Sequence, residues 1–195
     1  MWIQAAALVM VIASAATSAA NLTVRYYNQA GVPAKLLESA VESASIAMRT
    51  AGIQVRWLNC HATPEVCQDA GDRALELNLT TAPAAEARRP GVNAGFSMGY
   101  SLLPENGAGG VYAKVLWNRV IAYAKTVDVP VATVLGHVMA HELGHLLLNT
   151  AQHSRHGIMK GVWTGSDRAL LTGGRLVFHG REAAAMRRRL AGGLR

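Results

Sequence analysis

The chain has 195 residues, 51% of them hydrophobic and 16% charged, with 19 Lys and Arg against 12 Asp and Glu for a formal net charge of +7. That is enough length and apolar content for one domain with a real core, and it excludes a disordered tail, a collagen-like repeat and a disulfide-dense miniprotein. The charge is uneven: residues 1–150 hold ten basic and ten acidic side chains, residues 151–195 nine and two. A nucleic acid, an anionic membrane and an acidic substrate therefore all stay open as partners of the C-terminal quarter.

Residues 1–20, MWIQAAALVMVIASAATSAA, contain no ionisable side chain and end in small residues. This is the pattern of a secretory signal peptide, cut between Ala20 and Asn21. The apolar run at residues 5–13 is too short for a transmembrane helix, and no other span reads as long and apolar enough. The leader lacks Lys and Arg at its start, which leaves an uncleaved anchor as the alternative. Either way the chain is expected in a secreted, periplasmic or extracellular, oxidising compartment. Cys60 and Cys67, around the loop NCHATPEVC, then read as a disulfide. A metal pair with His61 competes, but the seven-residue spacing is not that of a zinc knuckle.

Leu22, Val24 and Tyr26 alternate with polar residues as a strand does, and Pro33 opens a helix whose Leu37, Val41, Ala44 and Met48 share one face. Gly52 stops that helix. Ile53, Val55 and Trp57 make a second strand, parallel to the first through the intervening helix. Leu75, Leu77 and Leu79 repeat the alternation in a third. Residues 81–110 are rich in Pro, Gly and Ala, with ARRPGVNAG and PENGAGG as turn-forming stretches and a short strand expected near Phe96 to Tyr100. Val111, Ala113 and Val115 read as an edge strand. Asp128 is expected to cap, and Pro130 to open, the helix VATVLGHVMAHELGHLLLNT, which is apolar nearly all round and so should be buried. Residues 181–190 read as a terminal helix. The expectation is an α/β (α+β) fold, a single domain over residues 21–195 with a twisted mixed sheet, a backing helix, a buried helix and a shorter C-terminal part from about residue 150.

The buried helix contains HELGH at residues 141–145. His141 and His145 lie one turn apart, so both imidazoles project from one face and can take two corners of a tetrahedral zinc. Glu142 can reach a zinc-bound water without ligating the metal, which suits a general base. A five-residue pattern also arises by chance. A buried helix, however, has no ordinary reason to carry two His and a Glu on one stripe unless something compensates them, and five of the seven histidines fall within residues 137–156. Catalytic zinc usually takes three protein ligands. His153, beyond a helix end at Asn149, is the expected third, with His156 as its rival. His137 reads as a hydrogen-bonded neighbour, and Glu182 and Asp167 as carboxylates without the helical context of a ligand.

These residues, HELGHLLLNTAQHSRHGIM, resemble the metzincin metallopeptidases, in which HExxHxxGxxH precedes a turn bearing a methionine. The likeness spans about residues 22–160, and the His153-Ser154 pair is similar to the matrixin-like branch. It implies a metzincin-like zincin domain, one catalytic zinc on His141, His145 and His153, Glu142 as base, and Met159 as the Met-turn residue. Leu148 stands where the family has Gly and Ala151 where it has His, so the third His comes two residues late. The resemblance further implies that a peptide substrate pairs with an edge strand around Gly110, Val111, Tyr112 and Ala113, and that Val162 and Trp163 wall a specificity pocket.

The expected function is a secreted zinc endopeptidase, monomeric, acting on a peptide or protein. An exported, non-catalytic metal-binding or envelope-associated module is the alternative. No aromatic residue is interleaved with Arg187, Arg188 and Arg189, which counts against nucleic acid. An anionic envelope surface remains the partner open to the basic C-terminal segment.

Overall fold

The structure, a computed structural model, describes residues 19–68, 74–83, 97–104 and 109–194. The leader reading at residues 1–18, Phe96 and most of the two Gly-rich stretches lie outside the described residues. Strand β1 (Ala20–Asn28) is followed by helix α1 (Ala34–Thr50) and strand β2 (Ile53–Asn59). The two strands run parallel, with Leu22 opposite Val55 and Val24 opposite Trp57. Local chemistry sets the ends of α1. Pro33 precedes the first helical residue, where a missing N–H leaves nothing unsatisfied, and Gly52 takes the left-handed turn at φ 73° into β2. Cys60, at the exit of β2, forms a disulfide with Cys67, which lies in the short helix α2 (Glu65–Gln68).

Strand β3 (Leu75–Thr80) lies parallel to β1, and β5 (Tyr112–Leu116) parallel to β3. Strand β4 (Gly99–Leu102) runs antiparallel to β5, giving the order β2-β1-β3-β5-β4. This corrects the expected edge strand. Tyr112 and Ala113 pair with Glu76 and Leu77 on one side and with Leu102 and Ser101 on the other, while Gly110 and Val111 precede the strand. Among the described residues the free edges belong to β2 and to β4, and the short strand expected near Phe96 to Tyr100 lies at Gly99–Leu102.

A second correction concerns Asp128. Residues 117–127 form helix α3 (Trp117–Val127), which the periodicity reading passed over although Val120, Ala124 and Val127 share its buried face. Asp128, at φ 51°, closes α3 in the left-handed conformation and does not cap the next helix. Helix α4 (Val131–Leu148) starts after Pro130. With a mean hydropathy of 1.2 over 18 residues it is long and apolar enough to span a bilayer, contrary to the sequence reading, yet it is buried as the central helix. It packs on α1, α3 and the sheet. Gly136 makes the α1 contact close: a Cβ there would stand 2.5 Å from the Ala40 carbonyl oxygen. Leu135, Met139 and Leu143 of α4 are fully buried with Leu75, Leu77 and Leu79 of β3, at about 1.5–3 kcal/mol of burial each.

After α4 the chain makes a 3-10 turn (Gly165–Asp167), helix α5 (Arg168–Thr172) and helix α6 (Gly180–Gly192). Helix α6 buries Ala183 and Met186 and packs against α4 and β1. The fold is thus the expected mixed α/β class, with the HELGH helix packed beside the backing helix, α4 against β4 and β5 and α1 against β2.

Candidate metal centre and cleft

Helical spacing places His141 and His145 of α4 side by side, and the chain that follows holds each ring. His141 Nδ1 donates to the Ile158 carbonyl at 2.7 Å, and His145 Nδ1 to the Thr150 carbonyl at 2.7 Å. A ring nitrogen bonded to a carbonyl carries the proton, so the Nε2 of each ring keeps a lone pair. Burial, reinforced by the neighbouring His145 and His153, pushes His141 down to about 3, and burial also lowers His145. Both imidazoles are therefore neutral at ordinary pH.

The free nitrogens meet. His145 Nε2 lies 3.0 Å from His141 Nε2 and 3.2 Å from His153 Nε2, and the three candidate ligand atoms lie within 4.8 Å of one another. Lone pairs facing each other at 3.0 Å with no proton between them repel, and a cation among them converts that repulsion to attraction. The donor set, three imidazoles of which His141 and His145 have their outer nitrogens anchored on carbonyls, fits zinc.

The turn after α4 accounts for the late third histidine. Asn149 ends the helix at φ 51°, one residue after the position where the resembled pattern has its Gly. Thr150 N then donates back to the His145 carbonyl, and the Thr150 side chain accepts from Gln152 N at 3.1 Å. The two additional residues are taken up in this turn, and His153 packs its ring on Gly161, where a Cβ would come within 3.0 Å. His156 is not brought to the cluster; its ring faces His179 at 6.3 Å. His137 is buried, donates from Nδ1 to the Thr133 carbonyl at 2.8 Å and meets Trp163 edge-on. Both carboxylates weighed as ligands are engaged elsewhere. Asp167 pairs with Lys160 at 2.7 Å, and Glu182 accepts from the Ser154 hydroxyl and from His179 N.

Glu142 is 3% exposed, and its partner is a residue that sequence reasoning missed. The Ser101 hydroxyl lies 2.8 Å from Glu142 Oε2 and 2.9 Å from the Glu142 carbonyl oxygen. Burial raises the Glu142 carboxyl to about 8 against the opposing pull of that hydroxyl. On the same face of β4, a Cβ on Gly99 would stand 2.6 Å from Glu142 Oε1. The signal in the sequence was the run of small residues Ser97, Gly99 and Ser101 at alternate positions, which marks a strand face approached closely by something else.

Met159 is buried in the turn at residues 157–160, under α4 at Gly144, where a Cβ would stand 2.5 Å from its Sδ. Trp163 is buried too. Its Nε1 donates to Ile158 O at 3.3 Å, the carbonyl that also holds His141, and its ring meets His141 edge-on at 5.9 Å. Val162, by contrast, is 54% exposed. A cleft of about 620 Å³ opens over the histidines, bordered by Gly99, Ser101, Tyr123, Glu142, Lys160 and Trp163.

No protein-family model matches the sequence, and no curated protein matches it. Among solved structures, the chain is similar to archaemetzincin from Methanopyrus kandleri, with a TM-score of 0.54 over 88% of this chain and 97% of that one, at 20% identity. The class defined here is therefore one of fold: a zincin-like α/β domain with a three-histidine cluster on its central helix.

Proposed function

We propose that this chain is a zinc-dependent endopeptidase in which His141, His145 and His153 hold one zinc ion and Glu142 acts as general base. The observation that carries this reading is the convergence of three imidazole Nε2 atoms in a cleft that also receives a buried carboxylate. Zinc held there supplies a Lewis acid for a substrate carbonyl and acidifies a water. The chain's own residues supply the rest. Ser101 engages Glu142 Oε2, which leaves Oε1, beside Gly99, to take the proton of the attacking water and return it to the departing amide nitrogen. Among the described residues β4 has a neighbour on one side only, so an extended peptide can add along Gly99–Leu102 by main-chain hydrogen bonds and pass over Glu142. Trp163 and Tyr123 wall the cleft on the α3 side, where a substrate side chain would lodge. The uncharged leader and the Cys60–Cys67 disulfide support an exported enzyme.

The test is zinc content and cleavage of a fluorogenic peptide library by wild type, Glu142→Gln and His141→Ala. Glu142→Gln should keep zinc and lose cleavage, while His141→Ala should lose both. Unchanged cleavage by Glu142→Gln would remove it as the base. A wild type that binds zinc stoichiometrically and cleaves nothing would instead support the exported metal-binding module.

A further inference from the structure

Given the zinc-peptidase reading, we propose that Asp167 positions the third metal ligand: its carboxylate closes residues 160–167 into a ring whose Gly161 holds the His153 imidazole in register with those of His141 and His145. His141 and His145 each have Nδ1 fixed on a backbone carbonyl, that of Ile158 and that of Thr150. His153 has no such anchor among the described residues. It is exposed, and its contact at hydrogen-bond distance is the 3.2 Å approach of its Nε2 to that of His145. A partner on the outer ring nitrogen is what ordinarily orients a metal-binding imidazole, so His153 must be oriented by packing.

The main chain of Gly161 supplies that packing. A Cβ there would stand 3.0 Å from His153 Cγ and 3.1 Å from its Nδ1, so the imidazole rests on bare backbone. Ser154 N donates to the Met159 carbonyl at 2.8 Å, and Ser154 bridges to Lys160. These contacts fix the backbone beside His153 and leave its side-chain torsions free. Where Gly161 stands therefore decides where the third nitrogen points.

Asp167 decides where Gly161 stands. It and Glu142 are the only buried carboxylates among the described residues, and the peptidase chemistry makes no use of it. Its Oδ2 accepts from Lys160 Nζ at 2.7 Å and from Thr164 N at 2.7 Å. Lys160 precedes Gly161 and Thr164 follows it, so one oxygen holds the glycine from both sides. Arg168, next in the chain, reaches the Asp128 carbonyl at 3.0 Å and ties the ring to the corner between α3 and α4. With the ion pair removed, Gly161 is free to move and His153 to enter rotamers that miss the other two ligands.

The experiment measures zinc affinity by chelator competition on the full chain, at a temperature where circular dichroism shows each variant folded. Asp167→Asn keeps an acceptor for Thr164 N but loses the ion pair, and it should weaken zinc binding about 10–100-fold, the usual weight of a residue that orients a ligand. Lys160→Arg should retain wild-type affinity. Asn28→Ala breaks the bonds of Asn28 to Val32 in the turn after β1, a loss of stability outside the ring, and should leave zinc affinity unchanged. In a His153→Ala background, Asp167→Asn should cost nothing further, because the two act as one unit. Wild-type affinity in Asp167→Asn, an equal loss in Asn28→Ala, or full additivity with His153→Ala would overturn the proposal. No peptide enters the measurement, so a wild type that binds zinc and cleaves nothing would remove the peptidase reading and leave this role of Asp167 standing. A wild type that binds no zinc would overturn both.

Discussion

Ser101 and Glu142, 41 residues apart in the chain, are joined by a 2.8 Å hydrogen bond from the serine hydroxyl to Oε2. The edge strand β4 thereby orients a carboxylate of the central helix. Ser101→Ala should leave zinc content unchanged and lower kcat about ten-fold, the weight of one buried hydrogen bond. Steady-state kinetics with metal analysis checks this; an unaltered kcat would mean that the glutamate is positioned without the serine.

Gly99 is the companion device. A methyl group there would stand 2.6 Å from both Glu142 Oε1 and the Lys114 carbonyl oxygen. Gly99→Ala should therefore displace the carboxylate or the strand by about 1 Å, costing on the order of 100-fold in kcat/KM. A crystal structure of the variant with Glu142 unmoved would contradict the argument.

Metal binding to the folded state alone raises its stability by mass action. At 100 times Kd the gain is about 2.7 kcal/mol, which for a domain of this size is a rise in Tm of roughly 5–10 °C. Wild type should show this shift on zinc addition after chelation, and His153→Ala should not. A full shift in His153→Ala would show that His153 contributes nothing to the metal.

Asp167 gives an acid-sensitive element away from the metal. Burial pushes its carboxyl up, but the Lys160 ion pair and the hydrogen bonds from Thr164 outweigh this and hold it below the usual carboxylate range. The folded state thus prefers the ionised form. Its contribution is complete above the unfolded pKa and fades as pH falls through the lowered folded value. Asp167→Asn should be about 1–3 kcal/mol less stable near pH 7, and the gap should narrow in acid. Urea midpoints at pH 7 and pH 3 that differ between the two proteins by the same amount would exclude this linkage.

Gly136→Val should be among the most damaging single changes outside the site. Its Cβ would stand 2.5 Å from the Ala40 carbonyl oxygen and 2.5 Å from the Ser43 Cβ, forcing α1 and α4 apart. A loss of at least about 1–3 kcal/mol is expected from overpacking alone, read as a lowered urea midpoint. A midpoint equal to wild type would show that the helix contact is looser than this spacing implies.

What the sequence determined by itself is what depends on neighbours a few residues away. Helical periodicity put His141 and His145 on one face, Pro33 and Gly52 marked the ends of α1, and the strand-helix-strand order made β1 and β2 parallel. Asn149 could be read as a helix end because its left-handed conformation is a local property. Relationships between distant segments were not legible, since a one-dimensional pattern carries no record of which loop returns to which face. Tertiary packing decided that His153 turns to the pair while His156 faces His179, and that β4 rather than the segment at Gly110 to Ala113 forms a sheet edge among the described residues. It also decided that Ser101 and Gly99 enclose Glu142. The reason is steric and electrostatic together: a buried carboxylate needs a hydrogen-bond donor and room, and only the packed sheet edge brings both to α4.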